Sequence, residues 1–149
     1  MSAPRTLVAL LVRSGRSNPA ASVQSAARLG GPAADVLVLD DAGVARSIRD
    51  AGAELAELCR SLGAGYYRSP RSLGRARAMN LALRRARTGG YEYALIAAPG
   101  VVLPHNAVAG LVGVAGTDSS LASVTAWSND VSVYSLASLF VDSASGPRD

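Results

Sequence analysis

Apolar and polar positions follow two alternating rhythms along this chain. Thr6-Leu-Val-Ala-Leu-Leu-Val12 is an unbroken run closed by Arg13, the pattern of a strand covered on both faces. After a polar loop, Ser14 to Asn18, Pro19 suits a first helical turn and predicts a helix from Ala20 to Leu29, stopped by Gly30-Gly31-Pro32. Asp35 to Leu39 predicts a second buried strand, ending on Asp40-Asp41. Apolar residues at Val44, Ile48, Leu55, Leu58 and Leu62 predict a helix that Gly63 closes. A short strand around Ala64 to Tyr67 and a loop through Ser69-Pro70-Arg71 come next. Ser72 then reads as the N-cap of a helix reaching about Arg87, ended by Gly89-Gly90. Tyr91 to Ala97 predicts a fourth strand, Pro99-Gly100 a turn, and Val101 to Leu103 an extended continuation. Pro104 opens a short helix over roughly Asn106 to Val114. Leu121 to Ala126 reads as a further strand, before a polar loop at Trp127 to Asp130 and a short segment at Val131 to Tyr134.

Strands alternating with helices predict βαβ units: an α/β fold, three-layer α/β/α, with a mostly parallel sheet. One domain over residues 1–142 and a frayed tail at 143–149 complete the expected organisation. In such sheets ligands bind beyond the carboxyl ends of the strands, where the strand order reverses. The residues to question are therefore Arg13 and Ser14, Asp40 and Asp41, Arg68 to Arg71, and Ala98 to Gly100.

Composition narrows the classes. With 149 residues, 49% hydrophobic and 17% charged, the chain is too apolar for intrinsic disorder. No uncharged apolar run approaches the ~18 residues of a membrane span. The absence of an export signal and the single Cys59 predict a cytoplasmic protein with no disulfide framework. Charge changes the picture more. All 15 basic residues are Arg. Residues 60–90 hold eight Arg and no acid, whereas residues 91–149 hold Arg148 against five acids. A block of guanidinium groups without counter-ions fits a phosphate or another polyanion; the alternative is a solvated helix face that meets acids from elsewhere in the fold.

Asp40-Asp41 is the clearest chemical signal. A carboxylate at a strand's carboxyl end can accept hydrogen bonds from a ribose hydroxyl or a base N–H. The plainer use is that one of the pair caps a helix and the other faces water. In Ser69-Pro-Arg-Ser-Leu-Gly-Arg-Ala-Arg-Ala-Met-Asn80, small residues at Gly74, Ala76 and Ala78 let a helix approach the sheet, and its amino end can receive an anion. Arg71, Arg75 and Arg77 surround that turn, and Asn80 in mid-helix predicts an amide bonded to a neighbouring loop. No Walker-type loop and no Gly-x-Gly-x-x-Gly occur. His105, after Pro104, reads as an exposed cap and Cys59 as a semi-buried structural thiol, while Trp127 with Ser128, Asn129 and Asp130 fits stacking and hydrogen bonding to a ligand and packing on the sheet end equally well.

In order, these segments resemble the amino-terminal half of family-2 glycosyltransferases with the GT-A fold, over about Thr6 to Ser135. Asp35-Val-Leu-Val-Leu-Asp-Asp41 is similar to the family strand whose aspartate recognises the nucleotide base. Ser72 to Ala86 is similar to its "N-x-G-x-x-x-A-x-N-x-G-x-x-x-A" helix. Tyr91 to Pro104 resembles the strand that carries the metal-binding Asp-x-Asp and keeps the trailing proline, and Ala122 to Asn129 resembles a loop of some members. Ala98, Pro99 and Gly100 occupy the Asp-x-Asp position, so the family's Mg²⁺ or Mn²⁺ site is expected to be lost. The chain ends about 49 residues after Gly100, before the family's catalytic base and acceptor half.

What the resemblance implies is a truncated, degenerate GT-A-like domain that binds a nucleotide-diphospho-sugar without a metal. Arg13, Asp40, Asp41, Arg71, Gly74, Arg75 and Arg77 are the expected nucleotide-binding residues, with arginines in place of the metal's charge. No residue matches the catalytic base, which would come from Asp118, Asp130 or a partner chain. The alternative is a non-catalytic pseudo-glycosyltransferase that forms homo-oligomers or completes a partner protein. Nucleic acid is disfavoured, because no recognised module accompanies the Arg block.

Overall fold

The computed structural model describes residues 4–12, 19–29, 34–41, 49–98 and 100–126. By its internal contacts the chain divides into two units, Met1–Val108 and Ala109–Asp149.

The first unit holds four strands, β1 (Thr6–Val12), β2 (Ala34–Asp40), β3 (Gly65–Arg68) and β4 (Tyr93–Ala97). Helices α1 (Ala20–Ala27), α2 (Arg49–Ser61) and α3 (Arg75–Thr88) connect them. The strands lie in the order β3-β2-β1-β4, and every neighbouring pair is parallel. The expected mostly parallel sheet is thus wholly parallel among the described residues. Parallel strands need crossovers, and the helices supply them.

The pleat of β1 sorts the core into two. Val8, Leu10 and Val12 point to the side of α1 and α2, where they meet Val23, Ala26, Leu55 and Cys59. Ala9 and Leu11 point the other way, with Leu39, onto Ala78 and Ala82 of α3. All seven residues of β1 are buried, which is why its sequence is a continuous apolar run. Each Leu or Val removed from water here contributes about 1.5–3 kcal/mol. α3 buries Ala78, Ala82 and Ala86, one turn apart, and so approaches the sheet closely.

Helix ends follow the glycines. At Gly90, φ is +69°, a conformation that costs glycine little. Its N–H donates to the Arg87 carbonyl at 3.3 Å and the Tyr91 N–H to the Ala86 carbonyl at 3.0 Å. That pair of bonds is a Schellman closure. The end of α2 repeats it: Gly63 N–H donates to the Arg60 carbonyl and Ala64 N–H to the Cys59 carbonyl.

Several expectations need correction. α3 begins at Arg75 with Gly74 as N-cap, two residues after the expected Ser72. Ser72 is used differently, as shown below. Leu121 to Ala126 forms no strand. That segment has no backbone ladder among the described residues, and five of its six residues are exposed, so nothing fixes it in a sheet. Asn80 is exposed and its amide makes no bond to a described loop, because position 80 lies on the outer side of α3. The short helix expected over roughly Asn106 to Val114 is present as α4, Ala107–Ala115. The predicted start of α2 at Val44, the loop at Trp127 to Asp130, the Val131 to Tyr134 segment and the tail at 143–149 lie outside the described residues. No described helix is long and apolar enough to cross a membrane.

Candidate functional site

The order β3-β2-β1-β4 fixes where a site can form. From β1 the chain moves outward through β2 and β3 with α1 and α2 on one face, then α3 returns it along the other face to β4. The strand order therefore reverses beside β1, and in sheets of this kind ligands bind beyond the carboxyl ends of the strands. Arg13, the residue that follows β1, lies outside the described residues, as does Pro99 beyond β4. Ala98 is exposed, and Gly100 has φ +85°.

Two adjacent carboxylates at the end of β2 go to opposite faces of the sheet. Asp40 is paired in register with Val12 and Arg68 and follows the pleat toward α2. Its side chain is fully buried and accepts a hydrogen bond from the Tyr66 hydroxyl at 2.8 Å. Arg68 Nε lies 4.0 Å from the same oxygen. Burial first, then the bond to Asp40, raises the Tyr66 hydroxyl far above the ordinary tyrosine value. Gly52 of α2 makes room for this trio, because a Cβ there would overlap the Arg68 guanidinium. Nearby Cys59 is buried rather than semi-buried, and burial pushes its thiol up to about 11.

Asp41 turns toward α3. Its backbone N–H continues the β1–β2 ladder by donating to the Val12 carbonyl at 2.9 Å. Its carboxylate accepts the Ser72 hydroxyl at 3.1 Å, the Gly74 N–H at 3.0 Å and the Leu73 N–H. This side chain, 33 residues earlier in the sequence, therefore caps the entry to α3 in place of the expected Ser72. Gly74 sits at φ +72° with open space where a Cβ would stand, so its backbone conformation is what calls for glycine there. Ser69, also buried, donates its N–H to the Asp40 carbonyl at 2.9 Å and holds the loop's other end. Between them is a small cleft lined by Leu39, Tyr67, Leu73, Ala78 and Leu81, with Asp40, Asp41 and Ser69 at its strand-end side.

The structure joins Asp41 to Gly74 at the amino end of α3, with Arg71 and Arg75 within three residues of Gly74 along the chain. Asp40 is withheld from them by burial on the other face, and Arg77 starts the outward side of the helix. The first intrahelical bond of α3 runs from Ala78 N–H to the Gly74 carbonyl at 3.0 Å. The amides of Arg75, Ala76 and Arg77 precede it and remain available, at the positive end of the helix dipole. Arg71, Arg75 and Arg77 are exposed and form no ion pair among the described residues. A carboxylate has about four acceptor sites, of which Asp41 uses three, leaving one for a ligand N–H.

No group of three or more His, Cys, Asp or Glu among the described residues could hold a metal ion. Ala98 and Gly100, at the position where the resemblance would call for metal-binding carboxylates, carry no side-chain oxygen. His105 is exposed. In the second unit, the Ser120 N–H donates to Asp118 at 2.8 Å and lowers its carboxyl, making it a weaker base. Asp130 lies outside the described residues. Sequence reasoning missed Tyr66, Arg68 and Gly52 as partners of Asp40. For Tyr66 and Arg68 the signal that could have found them is the strand register, which sets 38, 40 and 66, 68 side by side on one face.

The chain matches no protein-family model and no curated protein. What is shown is an α/β fold with a four-stranded parallel sheet flanked by helices.

Proposed function

We propose that this protein binds a nucleotide-diphospho-sugar, on a GT-A-like sheet, without a metal ion. The observation that carries the reading is the grip of Asp41 on Ser72, Leu73 and Gly74. It orders the loop so that the open amides of α3, with Arg71 and Arg75 beside them, form one cationic end next to the β2 carboxyl terminus. A diphosphate suits that end, since guanidinium groups and helix amides both favour phosphate oxygens. Asp41, with one acceptor site left, takes the base or ribose. Asp40 supports the strand end from behind and does not touch ligand. In a transfer at this site, an acceptor hydroxyl oxygen would bond to the anomeric carbon as the bond from that carbon to the diphosphate oxygen breaks, its proton passing to a base, while the arginines stabilise the departing nucleotide diphosphate.

Titration calorimetry with UDP-, GDP- and TDP-glucose in the presence of EDTA tests this. One of the three is expected to bind, with no gain on adding Mn²⁺. The double variant Arg71→Gln/Arg75→Gln is expected to weaken it by about tenfold or more, without lowering the melting temperature. Absence of binding by the folded protein, or binding that requires Mn²⁺, would remove the reading.

A second reading, a non-catalytic protein that assembles with itself or a partner, is favoured by α4. None of its nine residues is buried although nearly all are apolar. Patches of that kind mark association surfaces. A concentration-dependent mass in light scattering, together with no nucleotide binding, would favour this reading over the first.

A further inference from the structure

α3 carries a surface that the site above does not use. Arg77, Arg84 and Arg87 are spaced seven and three residues apart, which aligns them along its outer side over roughly 15 Å. All three are exposed and unpaired among the described residues. Met79 and Leu83, one turn apart, form an apolar ridge beside that row, 36% and 48% exposed. Arg85 differs, since it lies over the Tyr67 ring at 5.4 Å. Within residues 4–108, α3 is the only described helix on its face of the sheet, so it stands out as a convex ridge.

We propose that this outer face of α3 docks the protein onto an anionic lipid surface. The proposal goes beyond the nucleotide reading and is independent of it. Charge complementarity chooses the sign of the partner: Arg77, Arg84 and Arg87 share this face and α3 holds no acid. The apolar ridge chooses its nature. Arginine stems lie along an interface while their heads reach the phosphates, and Met79 and Leu83 enter the boundary between headgroups and acyl chains. Geometry agrees, because a convex helix meets a fluid planar surface along its length without needing a matching groove. A nucleic acid strand is less well served: α3 carries no aromatic residue on which a base could stack. An acidic protein would need a concavity shaped to the ridge.

Co-sedimentation of the full chain with vesicles tests this, using phosphatidylcholine alone and phosphatidylcholine mixed with phosphatidylglycerol. Binding is expected only with phosphatidylglycerol and is expected to fall as salt rises. The double variant Arg84→Gln/Arg87→Gln should weaken partitioning roughly 25-fold, while Arg84→Lys/Arg87→Lys should largely retain it. Leu83→Ser should weaken it with an unchanged salt slope. Failure to sediment with anionic vesicles, or equal binding to neutral ones, overturns the proposal whether or not a variant folds. So does wild-type partitioning by the folded glutamine double variant. Duplex RNA or polyglutamate that strips the protein from vesicles at equal charge assigns the face to that polyanion and overturns it as well.

Discussion

Strand β2 begins and ends on the same three side chains, an aspartate, a tyrosine and an arginine, in opposite surroundings. At its start, Asp35 accepts the Tyr91 hydroxyl at 2.7 Å and pairs with Arg5 at 3.1 Å, all near the surface. At its end, Asp40 accepts the Tyr66 hydroxyl at 2.8 Å and lies 4.0 Å from Arg68, under α2. The Asp35 and Arg5 side chains are 60% and 52% exposed; those of Asp40 and Arg68 are 0% and 24% exposed. The difference teaches which contacts hold the fold. In water, the surface trio can exchange each partner for solvent at little cost. Under α2, the fully buried Asp40 carboxylate has no such exchange available, so a change within the trio acts on a charge held away from water.

The sharpest way to break the comparison is to remove the buried carboxylate. Asp40→Ala is expected to lower unfolding free energy by about 3 kcal/mol, read by urea denaturation, because Tyr66 and Arg68 lose their acceptor. Asp41→Ala, at the adjacent position, is expected to cost only about 1 kcal/mol, the scale of a lost helix cap. Equal losses at the two positions would show that the opposite pleat directions of 40 and 41 do not divide structural from surface work.

A smaller effect probes the roof of the buried trio. In an open helix, Gly52→Ala should stabilise by about 1 kcal/mol through propensity alone. Here a new Cβ would overlap the Arg68 guanidinium and stand 3.4 Å from the Tyr66 hydroxyl. The substitution is therefore expected to give no stabilisation in the wild-type protein and to regain it in an Arg68→Ala background. A double-mutant cycle by thermal melting reads that coupling, and additive effects would mean that Arg68 swings clear of α2 freely.

Much of this contrast was open to sequence reasoning, and some was not. The continuous apolar run of β1 predicted a strand buried on both faces, and Gly63 and Gly89-Gly90 marked where helices stop, because those signals are local. Asp40 and Asp41 stood out as a pair, yet their separate fates follow from the pleat and from partners 26 and 33 residues away. Ser72 shows the same limit. It has the right chemistry for an N-cap, but a carboxylate from β2 outcompetes its hydroxyl for the Leu73 and Gly74 amides, and the helix starts later. Leu121 to Ala126 had strand-like composition without a ladder, and composition alone cannot supply a neighbour. Nothing local marked Gly52 as the opening above Arg68.

The smallest expected effect lies at the exposed end of β2. Hydrogen bonds from Tyr91 and then Arg5 hold the Asp35 carboxyl below its ordinary value of 3.8. A carboxyl lowered in the folded state stabilises it above the unfolded value and loses that contribution as pH falls through the folded one. Tyr91 acts on the opposite flank: donating to Asp35 raises its hydroxyl above the ordinary 10.0, so its contribution is present below that pH and lost as alkalinity rises. Asp35→Asn should therefore cost less than ~0.5 kcal/mol at neutral pH, the scale of a solvated pair. The difference in melting temperature from wild type should begin to shrink as pH falls below 3.8, vanish once pH has passed below the lowered folded value, and be reduced by salt. A loss at neutral pH as large as that of Asp40→Ala would mean that burial does not separate the two ends of β2, and that shared hydrogen-bond chemistry sets the stability of both.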